Sequence, residues 1–333
     1  MLTIKKKISV IIPNYNGRLL LENNLPSVFA ALQHSNLLYE ILVVDDYSTD
    51  DSVKFIDTNY PSISLIKKAK NTGFSATCNV GITQAKYPYI MLLNSDIQLS
   101  LDYFTGQLEY FKFKDTFGVM AKIIGAKQGE VQDTARLYTF NGFKIKANRF
   151  FNIKKPTELI PTAYLSGANA IVDAEKLRAL GGFNEIFSPF YYEDFDLGLR
   201  AWRMGWRCYY HPDTYCIHDH SSTTRNYRSR NWVKSIFFKN RFIMHAIHLE
   251  KFQLPMYYFQ LFIDAFFMWM LGKFYFYKAL YQFIVSYGEI RSSRKNLENL
   301  MNRYGSSRTV KQVQKEMNEL LANQEISYGL GKA

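Results

Sequence analysis

Carboxylate and amide side chains are concentrated in five short stretches of this 333-residue chain. Four are polar clusters that each follow an apolar run, and the fifth is an acidic cluster: 13–17, 45–46, 71–73, 94–96 and 193–196. Oxygen ligands of this kind suit Mg²⁺ or Mn²⁺, and a well-placed carboxylate can remove the proton of a hydroxyl group. The stretches therefore indicate cation binding and acid–base chemistry, provided that the fold brings them together.

The apolar runs before the four polar clusters have the pattern of buried β-strands. They are short and rich in β-branched residues, and they cover 8–12, 40–44, 63–66 and 89–93. Three helical stretches separate these runs. The first covers 19–32, the second follows 48–50 and ends near residue 56, and the third covers 79–85. Because crossovers between parallel strands are nearly always right-handed, the series predicts a doubly wound, mostly parallel α/β sheet with helices on both faces. Ligands of such a sheet bind beyond the carboxyl ends of its strands, where the polar clusters lie.

Composition and charge exclude several classes of protein. With 47% hydrophobic residues the chain can bury a substantial core, and its three cysteines give no disulfide framework. Lys and Arg outnumber Asp and Glu by 20 to 9 from residue 200 onward (+11), but only by 21 to 20 before it (+1). This asymmetry indicates an anionic partner for the C-terminal part. The run at 8–12 is too short for a secretory signal, so the chain is expected to start in the cytoplasm.

Several segments resemble the family 2 glycosyltransferases, which use nucleotide-sugar donors and have the fold called GT-A. In the N-terminal part they are SVIIPNYNG (9–17), EILVVDDYSTD (40–50), NTGFSATCN (71–79) and LLNSD (92–96). Further along they are LSGAN (165–169), GGFNE (181–185), YEDFDLGLR (192–200) and IHDH (217–220). The resemblance covers about residues 8–225 and is nearest to the rhamnosyltransferase-like and galactofuranosyltransferase-like branch. It implies a GT-A nucleotide-sugar-binding fold, here with a C-terminal aromatic, basic helical extension.

The resemblance also implies a site for Mn²⁺ or Mg²⁺. Asp96 matches the last acid of the family's Asp-x-Asp motif, whereas position 94, where the motif has its first acid, is the neutral Asn94 here. His218 matches the histidine that closes the metal site in this branch. His220 is an alternative ligand, because residues i and i+2 of a strand share a face. An imidazole ligand would favour Mn²⁺ over Mg²⁺.

The remaining polar clusters are predicted to bind the nucleotide sugar. Asp46 is the preferred contact to the base or ribose, with a helix N-cap as the alternative role. Gly73 is expected to let the backbone approach the donor. The full predicted set is Pro13, Tyr15, Asn16, Asp45, Asp46, Asn71, Gly73, Asn79, Asn94 and Ser95.

The acidic cluster is the predicted source of the catalytic base. Glycosyl transfer with inversion needs a carboxylate that accepts the acceptor's proton on the side opposite the diphosphate. Asp194 matches the family's catalytic acid pair and is assigned as the base, with Glu193 orienting the acceptor or bonding nearby backbone. Electrostatic support of a helix N-terminus is the alternative role for these carboxylates. For Asp196 an ion pair with Arg200 is the favoured interpretation.

The C-terminal third is aromatic and basic. The stretch 252–272 would need to tolerate Pro255, Gln260 and Asp264 in order to span a bilayer, so an interfacial helix on an anionic membrane is favoured, with packing on the catalytic domain as the alternative. His245 and His248 are expected to face solvent or lipid headgroups. The predicted domains are catalytic (1–235, divided at 100 into nucleotide-binding and acceptor halves), membrane-associating or packing helices (236–290), and a polar helical tail (291–333).

These patterns predict a metal-dependent, inverting glycosyltransferase. It would move one sugar from a nucleotide diphosphate donor to a hydroxyl of a lipid-linked cell-surface glycan, at the cytoplasmic face of the membrane. Two alternatives remain, transfer to polyprenyl phosphate itself and a non-catalytic membrane scaffold that retains the fold. The chain has no Gln-x-x-Arg-Trp after the acidic cluster, no phosphate loop and no dinucleotide fingerprint, which disfavours processive synthases, ATPases and dehydrogenases. Nucleic-acid binding is also disfavoured, because the aromatic residues form long apolar runs.

Overall fold

The computed structural model describes residues 6–126, 130–153, 159–218 and 229–330. Within these ranges thirteen strands are formed: β1 Lys7–Asn14, β2 Leu38–Asp45, β3 Ser64–Lys67, β4 Tyr89–Leu93, β5 Ile97–Leu99, β6 Thr116–Gly125, β7 Val131–Asp133, β8 Arg136–Asn141, β9 Lys144–Ile153, β10 Ile160–Pro161, β11 Asn169–Asp173, β12 Arg207–His218 and β13 Ile326–Leu330. The same ranges contain ten α-helices: α1 Arg18–His34, α2 Ser52–Asn59, α3 Phe74–Gln84, α4 Ala174–Ala179, α5 Glu193–Arg203, α6 Arg230–His248, α7 Leu254–Met270, α8 Tyr275–Val285, α9 Tyr287–Arg303 and α10 Val310–Leu320.

The main sheet has ten strands in the order β10-β12-β6-β11-β4-β1-β2-β3, with β5 on β12 and β7 on β6. The strands β3, β2, β1 and β4 are parallel, as the βα series predicts. Beyond β4 the sheet is mixed, because β11 lies antiparallel between β4 and β6 while β6 and β12 are parallel. A second, antiparallel sheet has the order β13-β9-β8.

The main sheet is covered on both faces, which explains why its strands are almost uniformly apolar. Side chains alternate along β1, so Ile8, Val10 and Ile12 belong to one hydrophobic core and Ile11 to the other. The first core also contains residues of α1 and α2. The second contains residues of α3, α4 and α5 together with residues of the C-terminal helices.

The C-terminal helices share a core with the sheet. Phe242 and Ile247 of α6 are buried there, and so are residues of α8, α9 and α10. The predicted domain boundary at residue 235 falls within α6, and the predicted polar tail ends in β13, which pairs with β9. The break predicted near residue 305 is present between α9 and α10.

The prediction for His245 and His248 was wrong, because both side chains are fully buried. His245 Nε2 accepts the amide of Ile145 at 2.8 Å, and its Nδ1 lies 2.6 Å from the carbonyl of Arg241. Burial lowers the pKa of His245 to about 3, so this residue is neutral.

The apolar residues of α7 are divided between two sides of the helix. Tyr257 and Leu261 are buried against the core, whereas Phe262 and Phe266 are 73% and 54% exposed. Six of the exposed residues lie within one arc of the helix at 100° per residue: Phe259, Phe262, Ile263, Phe266, Phe267 and Met270. Tyr258 and Trp269 extend this arc on one side. In the part of the chain that the structure covers, no helix combines the length and apolarity needed to cross a bilayer.

Candidate active site

A cavity of about 780 Å³ opens at the carboxyl ends of β1 to β4, where the polar clusters follow their strands. Most residues predicted from the sequence line it: Pro13, Tyr15, Asp46, Asn71, Gly73, Asn94, Ser95, Asp96, Glu193, Asp194 and His218. The lining does not include three others, which are Asn16, Asp45 and Asn79. The cavity thus brings the two halves of the predicted site together.

Asp96 and His218 form the pair in this cavity that best fits a cation. His218 Nε2 lies 3.2 Å from Asp96 Oδ2, and both side chains are largely buried. His218 Nδ1 lies 2.8 Å from Gln132 Oε1, while the Gln132 amide nitrogen faces Glu130 at 3.2 Å. With a proton on Nδ1 donated to Gln132, the lone pair of Nε2 would be directed toward the Asp96 carboxylate, where a cation could bridge the two groups.

Two buried oxygens, one of this pair and one of a residue that lines the same cavity, have no hydrogen-bond partner among the described residues. They are Oδ1 of Asp96 and Oδ1 of Asn94. An imidazole nitrogen beside a carboxylate, together with two unsatisfied oxygens, is a donor set that fits a cation. No third His, Cys, Asp or Glu joins the pair within the described ranges. His220, the alternative ligand, lies outside the described residues.

Asp46 is held at the cavity wall by contacts that the sequence did not reveal. Its carboxylate accepts the amides of Thr72 and Gly73 at 2.9 and 2.8 Å and pairs with Lys68 Nζ at 2.7 Å. Gly73 has a φ of +89°, and a Cβ there would lie 3.2 Å from the Cα of Pro189. The close approach expected at Gly73 is therefore made to Asp46 and Pro189 of this chain.

The three predicted residues outside the cavity support its walls. Asp45 accepts hydrogen bonds from Asn14 Nδ2 and from the Ser48 amide and hydroxyl, which uses both carboxylate oxygens. Asn16 accepts the amide of Thr49 at 2.7 Å.

Asn79 lies within α3, because that helix begins at Phe74 and not near residue 79 as predicted. It joins the helix to the amide and carbonyl of Phe183. These hydrogen bonds give Asn16, Asp45 and Asn79 supporting roles within the chain, and their contact with the nucleotide sugar stays a prediction.

The predicted base is at the start of α5. Burial raises the pKa of Asp194 to about 6, although the nearby Arg136 guanidinium lowers it. Burial, together with the charge of Asp194, also raises the pKa of Glu193. Within the ranges that the structure covers, the buried Oε2 of Glu193 has no hydrogen-bond partner. The two preceding residues, Tyr191 and Tyr192, have φ values of 75° and 74°. Such a conformation is uncommon for bulky residues, and here it delivers the acid pair into the cavity.

Asp196 has the structural role favoured from the sequence. Its fully buried carboxylate pairs with Arg200 Nε at 2.7 Å, and with His248 Nε2 of α6 at 2.9 Å. Burial alone would raise the pKa of Asp196, but Arg200 and His248 outweigh it and the pKa is lowered. The C-terminal helix α6 is thereby tied to the helix that carries Asp194.

Sequence reasoning did not single out several residues of the cavity and its surroundings. Ser166, Gly167 and Ala168 line it from the loop before β11, and Trp232 lines it from the first turn of α6. Three further residues influence predicted site residues from elsewhere in the chain. Lys68 pairs with Asp46, Gln132 contacts His218, and the Arg136 guanidinium lowers the pKa of Asp194. The resemblance at 165–169 was the available signal for the first three, whereas the others have no local signature.

The sheet order and the cavity at its carboxyl edge define a GT-A fold. Residues 9–181, more than half of the chain, match the model described as Glycosyl transferase family 2, and the chain therefore belongs to glycosyl transferase family 2. The family and the fold inferred from the motifs are thus confirmed.

Among curated proteins the chain is similar to the dolichol-phosphate mannosyltransferase of Pyrococcus furiosus, at 36% identity over 95 residues. That match covers 28% of this chain and only 26% of the archaeal protein. It is also similar to the N-acetylglucosaminyl-diphospho-decaprenol L-rhamnosyltransferase of Mycobacterium tuberculosis, at 24% identity over 208 residues. That match covers 55% of this chain and 67% of the relative.

Solved structures of low identity share the fold. GalNAc-T7 with UDP, GalNAc and Mn²⁺ has a TM-score of 0.64 at 15% identity, covering 96% of this chain and 58% of that one. Residues 1–349 of Staphylococcus aureus TarS, in complex with UDP-GlcNAc, have a TM-score of 0.53 at 14% identity. The latter match covers 98% of this chain and 97% of that one.

Proposed function

We propose that this chain is a metal-dependent, inverting glycosyltransferase that moves a single sugar from a nucleotide diphosphate donor to a hydroxyl of a lipid-linked cell-surface glycan. One observation carries the proposal: Asp96 and His218 on one side, and Glu193 and Asp194 on another, line the same cavity. A leaving diphosphate needs positive charge, and an attacking hydroxyl needs a base. The cavity offers side chains suited to both tasks.

Asp96 and His218 are the residues that would hold Mn²⁺ or Mg²⁺, with the unpartnered oxygen of Asn94 beside them. A bound divalent cation supplies charge stabilisation for the departing diphosphate. The imidazole favours Mn²⁺. GalNAc-T7 has been solved with Mn²⁺, which agrees with this choice but comes from a chain that is only 15% identical.

The chain's own residues would carry out the remaining tasks. Asp46, fixed by Lys68 and two backbone amides, lies where a carboxylate can accept hydrogen bonds from a base or ribose. Asp194 would accept the proton of the acceptor hydroxyl as that oxygen attacks the anomeric carbon. Its raised pKa suits a base at neutral pH, because the ionised form still predominates and binds a proton readily. One displacement at that carbon inverts its configuration.

The proposed location is the cytoplasmic face of a membrane, with an anionic lipid surface as a partner. The support is the exposed aromatic arc of α7, because apolar area of this extent is unusual on a surface that faces only water. Asp264, the one acidic residue of α7, is paired with Lys144 at 2.6 Å and so does not oppose contact with lipid. The excess of cations from residue 200 onward has the sign needed for anionic headgroups.

Release of nucleotide diphosphate from a panel of nucleotide sugars, with Mn²⁺ and a membrane extract as the acceptor source, tests the proposal. We expect one donor to be consumed by the wild type, and Asp96→Ala to abolish the reaction. Asp57→Asn is the matched control, because Asp57 is exposed and pairs only with Lys67. Turnover that persists in Asp96→Ala would contradict the proposal.

Transfer to polyprenyl phosphate is the second enzymatic candidate, and the match to a dolichol-phosphate mannosyltransferase favours keeping it. A phosphate acceptor is already ionised and needs no base. Asp194→Asn distinguishes a hydroxyl acceptor from a phosphate acceptor. A loss of turnover of about 10²-fold or more supports the hydroxyl acceptor. Near-normal turnover would support a phosphate acceptor.

A non-catalytic scaffold is the third candidate, and Asn94 in place of an acid is the observation that favours it. Titration of the purified chain with UDP and GDP, with and without Mn²⁺, tests it. We expect Mn²⁺ to strengthen nucleotide binding in the wild type and not in Asp96→Ala. Equal affinity in all four combinations of protein and metal would support the scaffold.

A further inference from the structure

A row of aromatic rings leads from the wall of the cavity to the C-terminal helices. Consecutive ring centroids are 4.9 to 5.8 Å apart, within the range of aromatic contacts. In order along the row they are Trp232, Phe190, Tyr191, Phe237, Phe238 and Tyr275. The first three line the cavity, and the last belongs to α8.

The row lies at the surface for part of its length. Tyr191 is 36% exposed and Phe237 is 39% exposed. Phe274, next to the last ring, is 68% exposed, so the row leads to the apolar surface of the C-terminal helices. The protein thus has a partly open apolar path between the proposed reaction centre and the surface proposed to contact lipid.

The cavity end of the row is held in position. Asn240 of α6 is fully buried, and its amide nitrogen donates to the carbonyls of Phe190 and Tyr191 at 2.8 and 2.9 Å. Lys239 Nζ donates to the carbonyl of Ser188 at 2.8 Å. These hydrogen bonds hold the loop in one conformation, so the rings of Phe190 and Tyr191 are already in position for a ligand.

Two cations flank the α8 end of the row. Arg241 Cζ lies 4.4 Å from the ring centroid of Phe238, and Lys234 Nζ lies 5.2 Å from that of Tyr275. Neither makes an ion pair with a carboxylate in the part of the chain that the structure describes. An apolar path with positive charge beside it suits an amphiphile that has an anionic head and a hydrocarbon chain.

We propose that the lipid-linked acceptor lies along this row, with its phosphates at Lys234 and Arg241, its glycan directed along Tyr191 to the cavity, and its isoprenoid chain on Phe238 and Tyr275 and the exposed apolar surface beyond them. The inference rests on the proposed function, in that the acceptor is taken to be lipid-linked. It adds the surface that receives the lipid, and it makes α6 part of the acceptor site. The glycan end of the acceptor would then lie at Trp232 and Phe190, in the cavity that holds Asp194.

Binding of farnesyl diphosphate to the full chain, measured by calorimetry beside inorganic pyrophosphate, tests the row. We expect farnesyl diphosphate to bind more tightly than pyrophosphate, and Phe238→Ala and Tyr275→Ala each to weaken it by about tenfold through lost apolar contact. Phe262→Ala is the matched control, an exposed phenylalanine of α7 outside the row. Tyr275 lies on α8, so Tyr275→Ala keeps the test decisive if Phe238→Ala disturbs the packing of α6.

Three results would overturn the proposal: affinity equal to that of pyrophosphate, unchanged affinity in both row variants, or equal weakening in Phe262→Ala. Nucleotide release from the donor, measured on the same preparations, tests the proposed function separately. If the chain binds the isoprenoid but consumes no donor, the proposed glycosyl transfer is contradicted and the proposal for the aromatic row is retained. If the chain consumes donor but does not bind the isoprenoid, only the proposal for the aromatic row is contradicted.

Discussion

His218 and Asp96 are 122 positions apart in the sequence, yet His218 Nε2 lies 3.2 Å from Asp96 Oδ2. Strand pairing causes this approach, because β12 runs antiparallel to β5 and places His218 opposite Ile97, the residue after Asp96. The second candidate ligand therefore arrives by a long-range pairing at the edge of the sheet. Gln132, on β7, fixes the orientation of its ring.

We expect Gln132→Leu to weaken Mn²⁺ binding by about 10–100-fold, although Gln132 is not a proposed ligand. The variant removes the acceptor that keeps the proton on His218 Nδ1, so the lone pair of Nε2 is no longer fixed. Gln132→Glu should retain most of the affinity, because a carboxylate accepts the same hydrogen bond. Titration of Mn²⁺ in the presence of UDP measures both, and equal weakening in the two variants would argue against orientation of His218.

The pH dependence of turnover should depend on Arg136. If Asp194 is the base, kcat/KM falls as the pH drops through about 6, where Asp194 becomes protonated. The Arg136 guanidinium lowers this pKa, so Arg136→Met should raise it and move the acidic limb to higher pH by about one unit. Arg136→Lys retains the charge and should leave the limb near its wild-type position. A limb that does not move in Arg136→Met would exclude Asp194 as the titrating group.

His248→Ala should reduce the free energy of unfolding by about 3 kcal/mol. The substitution leaves the buried carboxylate of Asp196 with one partner fewer and opens a space between α5 and α6. Urea unfolding, followed by far-UV circular dichroism, measures the change as a lower midpoint. His34→Ala is the control, since His34 is exposed on α1. Equal midpoints for the two variants would show that the Asp196–His248 pair contributes little.

Contact with lipid should depend on the exposed arc of α7. We expect Phe262→Glu/Phe266→Glu to abolish flotation with anionic liposomes, because two charges would enter the apolar layer. Leu19→Glu is the matched control, since Leu19 is 69% exposed on α1. Deletion of 236–290 would be a poor test, because it removes buried residues such as Phe242. Flotation of the double variant at the wild-type level would rule out this surface.

The parallel half of the sheet could be predicted from the sequence, because each strand there is a short apolar run and each connection contains one helix. Asp96 and Asp46 could be located for the same reason, since both directly follow such strands. The antiparallel insertion of β11 and the pairing of β5 with β12 could not be predicted. They depend on contacts between distant segments, for which single runs of residues carry no signal.

For His245 and His248 of α6, the sequence pattern indicated exposed side chains, whereas the structure buries both. Their helix is rich in Lys and Arg, a pattern typical of an exposed surface, yet both imidazoles are buried. Their partners are remote in the chain, Ile145 for His245 and Asp196 for His248. The supporting roles of Lys68 and Gln132 were missed for the same reason, because each depends on a neighbour that only the folded chain provides.

The outward-facing rings of α7 also affect how the protein behaves in the test tube. In plain buffer, two molecules can shield these rings from water by stacking them against each other. The apparent mass should therefore grow with protein concentration and return to that of one chain when a mild detergent is added. Handling the protein with an amphiphile present would then be a condition for meaningful kinetics.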